Sequence, residues 1–181
     1  MVRKRQISIL LFLTLCLSVS WSQTKKAGPI INDFGQVWNI ENTDYKTATN
    51  SPLKVVFDIM NSPDSHLKIN ASIETAARFL NMHAQAGVNP ENLKAVLVVH
   101  NMASKDILTN TAYQSRYGEN NPNESLIKAL LDAEVDIIFC GQSSVARGIP
   151  KEDTIEGVQL GLSAMTALIQ LQNEGYQLIK F

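Results

Sequence analysis

The chain has 181 residues, of which 45% are hydrophobic and 18% are charged, and its formal net charge is −1. This length suits one compact domain with a substantial apolar core. With this charge, and with no basic cluster after residue 22, the sequence gives no electrostatic indication of nucleic-acid binding.

Residues 1–22 have the pattern of a secretory signal peptide. Residues 3–5 are basic, residues 7–19 are apolar, and small residues follow at Ser20 and Ser22. The apolar run is shorter than the roughly 20 residues of a membrane-spanning helix. We therefore expect a periplasmic or secreted protein with no stable membrane insertion after cleavage. The alternative is an uncleaved N-terminal anchor.

Cleavage after Ser22 would change both the charge and the cysteine content. Three basic residues would leave, which changes the formal charge from −1 to −4. Cys16 would leave as well, so that Cys140 becomes the only thiol of the mature chain. A single cysteine in an oxidising compartment is buried and inert, paired with another molecule, or chemically useful.

The remaining chain divides into an arm and a regular domain. Residues 23–52 are polar and irregular, and we expect an extended N-terminal arm that lies over the domain or reaches a neighbouring subunit. From residue 53 onward the apolar pattern predicts alternating strands and helices. The predicted strands are 53–59, 93–100, 135–140 and 176–181, and the predicted helices are 70–87, 121–135 (with Asn121 as its cap) and 163–175. Residues 157–162 fit either a short strand or the start of the last helix.

The strands are nearly continuous apolar runs separated by amphipathic helices. This pattern is typical of a mainly parallel sheet with helices on both faces. We therefore predict an α/β domain over residues 53–181, a flavodoxin-like sandwich. In such folds, ligands collect beyond the carboxyl ends of the strands.

Polar or reactive residues stand at three of these strand ends. The candidates for substrate binding or catalysis there are Asp58, His100 with Asn101, and Cys140 with Gly141, Gln142 and Ser143. Cys140 is the strongest candidate, because the turn after it is expected to open into a helix whose free amides favour a thiolate. The alternative is a small, buried, unreactive side chain.

Two further residues complete the candidate site. His100 could take a proton from a thiol, or it could only bond to the backbone of the next loop. Arg147 could hold an anionic substrate or stabilise a thiolate, or it could cap a short surface helix.

The sequence gives no support for a metal or an organic cofactor. One mature cysteine and three scattered histidines form no Cys-x-x-Cys pair and no helical His-x-x-x-His pair. Glycine-rich phosphate loops are also missing. We predict neither a metal site nor a cofactor.

Residues 53–181 resemble the DsrE/DsrF-like family, which includes sulfur-relay proteins. The resemblance rests on "VDIIFCGQS", "ARGI" and "EGVQLGLSAMTALIQLQNEGYQLIKF", and "LNMHAQAGV" and "LVVHNMASKDIL" resemble the exported branch of that family. It implies a flavodoxin-like fold and a homo-oligomer. It also implies a persulfide-carrying cysteine at Cys140, followed by an Arg-Gly pair at Arg147 and Gly148.

Two functional hypotheses follow. In the first, the protein handles sulfur or thiol redox: Cys140 is nucleophile and sulfur carrier, His100 a base, and Arg147 and the turn amides bind the anion. Its partner would be a sulfur donor or acceptor protein, or a small sulfur compound. In the second, the protein is a non-catalytic oligomeric module that binds a small ligand, and Cys140 only packs. Whether the protein is an enzyme stays open between them.

Overall fold

The computed structural model describes residues 24–180. The predicted signal segment, residues 1–22, lies outside the described residues. No helix among the described residues is long and apolar enough to span a membrane.

Five parallel strands form one sheet in the described part of the chain. The strands are β1 (Leu53–Ile59), β2 (Leu93–Val99), β3 (Asp136–Cys140), β4 (Gln159–Gly161) and β5 (Gln177–Ile179). The α-helices are α1 (Ala71–Gln85), α2 (Asn110–Tyr117), α3 (Glu124–Asp132), α4 (Gly141–Arg147) and α5 (Ala164–Asn173). Short 3-10 helices cover Pro90–Asn92, Asn101–Ile107 and Lys151–Asp153.

The strand order is β4-β3-β2-β1-β5, and every neighbouring pair is parallel. The chain moves outward from β1 to β4, and α5 then crosses back to place β5 beside β1. The prediction of an α/β fold with a parallel sheet is confirmed.

Alternation of side chains along the strands divides the core into two clusters. On one face, Val55, Phe57 and Ile59 of β1 join a large cluster with residues of α1, α2 and α3. On the other face, α5 alone covers a smaller cluster. Its buried members are Val56, Val96, Val98, Cys140, Ala164, Ala167 and Leu171. Both faces are covered, as predicted, but unequally.

The structure differs from the predicted elements between the second and third strands. The helix predicted to begin at Asn121 begins at Glu124 instead. Asn121 turns inward, where its amide nitrogen donates to the carbonyls of Asp106 and Leu108. Helix α2 and the 3-10 helix Asn101–Ile107 were not predicted, because residues 101–117 are polar and lack an apolar period.

Residues 24–52 form no helix or strand beyond a two-residue bridge between Lys26 and Val37. They are fixed to α1 by the fully buried Asn81. Its side-chain oxygen accepts from the amides of Ile30 and Ile31, and its nitrogen donates to the carbonyls of Ile31, Phe34 and Gly35. One side chain therefore satisfies much of the backbone of this segment.

Candidate functional site

The three strand-end residues Asp58, His100 and Cys140 lie on the same face of the sheet, the face that α5 covers. Val98 pairs with Ile138 and Val99 with Phe139. Extending this register by one residue brings His100 beside Cys140. Asp58 lies in β1, which borders β2 on the side opposite β3, and its side chain bonds directly to His100. The topology therefore brings together the residues that the sequence nominated separately.

Cys140 is the last residue of β3 and the N-cap residue of α4. It is 5% exposed. Burial raises the pKa of its thiol, but the backbone amides of Ser143, Ala164 and Gln142 and the Ser143 hydroxyl favour the thiolate more strongly, and the pKa is lowered overall. Ala164 is the first residue of α5, so the starts of two helices converge on one sulfur atom.

A glycine makes this convergence possible. A Cβ on Gly141 would lie 2.7 Å from the carbonyl oxygen of Gly161 and 3.1 Å from that of Leu162. Any side chain at Gly141 would therefore push the turn between β4 and α5 away from the start of α4. Because that turn leads into Ala164, the close packing also sets the distance from the Ala164 amide to the sulfur.

Asp58 links two cationic or potentially cationic groups. Its Oδ1 accepts from His100 Nε2 at 2.6 Å, and its Oδ2 lies 2.8 Å from Lys180 Nζ. Burial raises the pKa of the Asp58 carboxyl, but the bonds to Lys180 and His100 outweigh it and the pKa is lowered. The side chain of Asp58 is only 7% exposed, so both contacts are partly shielded from water.

The bond to Asp58 orients the imidazole. A carboxylate can only accept, so Nε2 is the ring nitrogen that donates to it. Nδ1 of His100 makes no hydrogen bond to any residue in the range 24–180. The ring is therefore held through Nε2, and its other nitrogen has no partner among these residues.

The remaining predicted site residues lie around α4. The backbone amide of Asn101 donates to the Ser143 hydroxyl at 3.0 Å, and Gln142 Nε2 donates to the Leu162 carbonyl at 3.4 Å. Arg147, at the far end of α4, donates to Asn101 Oδ1 and lies 3.2 Å from Met102 Sδ. Arg147 is not among the groups that lower the pKa of Cys140.

Sequence reasoning missed two contributors to this site, Lys180 and the Ala164 amide. The alternation of the predicted last strand is the signal that could have placed Lys180 on one face. Its contact with Asp58, however, depends on β5 returning to the side of β1. Within residues 24–180, no group of three or more metal-ligating side chains occurs.

Comparisons with known proteins agree with this architecture. A model of the DsrE/DsrF-like family matches residues 54–181. A protein of unknown function, MTH1491 from Methanobacterium thermoautotrophicum, has a similar structure, with a TM-score of 0.55 and 19% identity over 71% of this chain and 99% of that one. The ychN protein from E. coli has a TM-score of 0.53 and 20% identity over the same shares. No curated protein gives a significant match. At these identities the two structures show the fold alone.

Proposed function

Because the chain belongs to the DsrE/DsrF-like family, we propose that it handles sulfur through the thiolate of Cys140. The observation that carries this proposal is the convergence of two helix starts on the sulfur of Cys140. Backbone amides of both helices stabilise the anion, and the pKa of the thiol is lowered despite burial. A thiolate is the form that attacks sulfane sulfur and disulfides.

The proposed step is the uptake of one sulfur atom. The thiolate of Cys140 attacks the outer sulfur of a persulfide or polysulfide donor, and a new S–S bond forms at Sγ. The S–S bond of the donor breaks, and the donor leaves as a thiolate that takes a proton from water. The sulfane sulfur keeps its oxidation level, so the transfer needs no further oxidant or reductant.

His100 would act as the proton acceptor in this scheme. The pairing of Val99 with Phe139 supports this role, because His100 and Cys140 are the next residues of the two strands, and Nε2 of His100 bonds to Asp58. Nδ1 could then receive the thiol proton when Cys140 starts from its neutral form. Lys180 would act only through Asp58, by holding the carboxylate against the imidazole.

Graded-pH alkylation tests the proposal directly. The full chain carrying Cys16→Ser keeps Cys140 as its only thiol, whether or not the N-terminal segment is removed. We expect half-maximal alkylation below the ordinary thiol pKa of about 8.5, and a mass increase of one sulfur atom after treatment with polysulfide. The variant with Cys140→Ser is the control and should show neither. A midpoint at or above the ordinary value, with no added sulfur, would exclude sulfur transfer at this residue.

One observation favours the non-catalytic alternative. Cys140 is nearly buried and packs with Val56, Val96 and Val98, as an inert cysteine does. Under this alternative, Cys140→Ser would leave ligand binding and the phenotype of the host unchanged. Loss of phenotype with an intact fold supports the role of the thiol.

We also propose that the protein forms a homo-oligomer. Large apolar side chains stay exposed around β4 and α5: Leu160, Leu162, Met165 and Ile169. A second copy would cover them, since a monomer gains nothing by exposing a continuous apolar patch. Sedimentation should show an assembly that Met165→Lys weakens, and a monomeric parent chain would contradict the proposal.

Export is the remaining part of the proposed function. The intact mass of the protein from its host should correspond to a chain that begins after Ser22. Recovery of residues 1–22 on the mature protein in the membrane fraction would support the anchored alternative instead.

A further inference from the structure

A polar pocket lies at the carboxyl edge of the sheet, on the side away from α5. It has a volume of about 450 Å³. Residues of the 3-10 helix Asn101–Ile107, of the end of α2 and of the end of α4 line it. Cys140 does not line this pocket. The carboxyl edge of a parallel sheet is where ligands bind in α/β folds.

The pocket contains a buried ammonium group whose hydrogen-bonding capacity is poorly used. Lys105 lines the pocket and is only 7% exposed. Among residues 24–180, its Nζ lies 3.4 Å from Asp106 Oδ1, 3.5 Å from the Tyr113 hydroxyl and 5.8 Å from the centroid of the Tyr113 ring. A lysine ammonium has three donors, and a buried charge is costly unless close partners satisfy it.

Asp106 is shared between Lys105 and three neutral donors. Its oxygens accept from Asn70 Nδ2 at 2.7 Å, from Ser62 Oγ at 2.8 Å and from Asn123 Nδ2 at 3.3 Å. The carboxylate is fixed in place by this network. Lys105 is therefore held near Asp106 but remains able to bind a further anionic oxygen.

The other charges of the pocket are mostly positive. Arg116 and Arg147 line it together with Lys105, whereas Asp64 is the only carboxylate among its lining residues. Arg147 has a neutral partner, Asn101, and Arg116 pairs with Asp153 at 3.0 Å. Arg147 is therefore the lining cation that has no carboxylate partner among residues 24–180, and its guanidinium can bind an anionic oxygen.

Aromatic and apolar side chains also line the pocket. The rings of His66 and Tyr117 are stacked, with centroids 4.4 Å apart and an interplanar angle of 20°. Met102 and Ile149 complete this part of the lining. Such a pocket has room for more than a bare oxyanion, since small-molecule sites typically span about 300–1,000 Å³.

We propose that this pocket binds a small organic anion, a carboxylate or phosphate ester on a flat apolar body. Lys105 and Arg147 bind the anionic oxygens, and the His66–Tyr117 stack contacts the apolar body. The site is separate from the sulfur chemistry proposed for Cys140.

Calorimetric titration of the full chain tests this proposal with three probes: phenyl phosphate, benzoate and inorganic phosphate. We expect phenyl phosphate or benzoate to bind more tightly than inorganic phosphate, and Arg147→Gln to weaken that binding about tenfold, as loss of one charge-assisted hydrogen bond does. Arg147 is exposed, so this variant should fold normally. Lys105→Met should weaken binding further, with circular dichroism to check its fold.

Two variants serve as controls. Lys94 is exposed and lies near the start of β2, far from the pocket. The variant Lys94→Gln should therefore bind the probes with unchanged affinity. Cys140→Ser should also bind normally, which separates this site from the sulfur site. No binding of any probe at millimolar concentration would overturn the proposal, as would equal affinity in the parent chain and Arg147→Gln. Preference for inorganic phosphate would overturn the assignment of an organic ligand.

Discussion

Replacing Asp58 by asparagine tests the arrangement of charges beside Cys140. The carboxylate accepts from His100 at 2.6 Å and contacts Lys180 at 2.8 Å. An asparagine at this position would keep the shape but lose the charge, and its amide could accept from only one of the two partners. Breaking a well-buried pair costs about 3–5 kcal/mol. Because the Lys180 side chain is 54% exposed, we expect Asp58→Asn to lower the free energy of unfolding by about 2 kcal/mol.

Urea unfolding measures this loss of stability. The variant Lys180→Met separates the contribution of the Lys180 contact from that of the His100 contact. The single variant Lys180→Met should cost less than about 1 kcal/mol, because the ammonium is half exposed. The double variant, Asp58→Asn with Lys180→Met, should lose less stability than the sum of the two single variants, because each single variant breaks the same ion pair. Asp132→Asn, on the exposed end of α3, is the matched control and should be neutral. A loss below about 0.5 kcal/mol for Asp58→Asn would refute the reasoning.

The effect of Asp58→Asn should also depend on pH. The pKa of Asp58 is lower in the folded protein than its ordinary value of 3.8, so its stabilisation is fully present above that value. It is lost as the pH falls through the lowered pKa. The difference in stability between the parent chain and Asp58→Asn should therefore shrink in acid, and a difference that stays constant from pH 7 down through that range would contradict the assignment.

The other predictions concern neighbouring contacts. Ser143→Ala removes a hydroxyl that helps to lower the pKa of the Cys140 thiol, so this pKa should rise and the alkylation profile should move to higher pH; an unchanged profile would assign the whole effect to the backbone. Asn81→Ala should lower the free energy of unfolding by about 3 kcal/mol and expose residues 24–52 to protease, whereas equal protease resistance would show that the buried amide does not fix this segment. Gly141→Ala should cost about 2 kcal/mol in urea unfolding, because its Cβ would lie 2.7 Å from a backbone oxygen; a neutral result would mean that the β4–α5 turn yields freely.

Prediction from the sequence succeeded where apolar pattern controls structure. The first strand was predicted at residues 53–59, and the structure places β1 at the same residues, because a short segment rich in β-branched and apolar residues is favourable in a buried strand. Residues 101–117 show the opposite case. Lys105 and Asp106 are buried there, yet charged residues in a sequence indicate surface. The buried carboxylate of Asp106 is satisfied by Asn70 and Asn123, which lie 36 and 17 residues away in the sequence.

In the candidate site, too, some features follow from the local sequence and others depend on distant parts of the chain. Asp58, His100 and Cys140 could be nominated because each ends a predicted strand of a parallel sheet. Their placement on one face needs the strand register, and the contact of Lys180 needs the strand order. Neither follows from the local pattern of residues, since α5 must first carry the chain from one edge of the sheet to the other.

The tight packing of Gly141 against Gly161 has a kinetic consequence. Cys140 is almost closed to solvent, and the turn after β4 lies directly over the start of α4. A reagent, or an added sulfur atom, needs space that exists only when this turn moves. Strand β4 is three residues long and lies at the edge of the sheet, so it is the element that can open at least cost. Cys140 would then behave as a gated thiol, and its modification should proceed no faster than the transient openings that hydrogen exchange reports for the β4 amides.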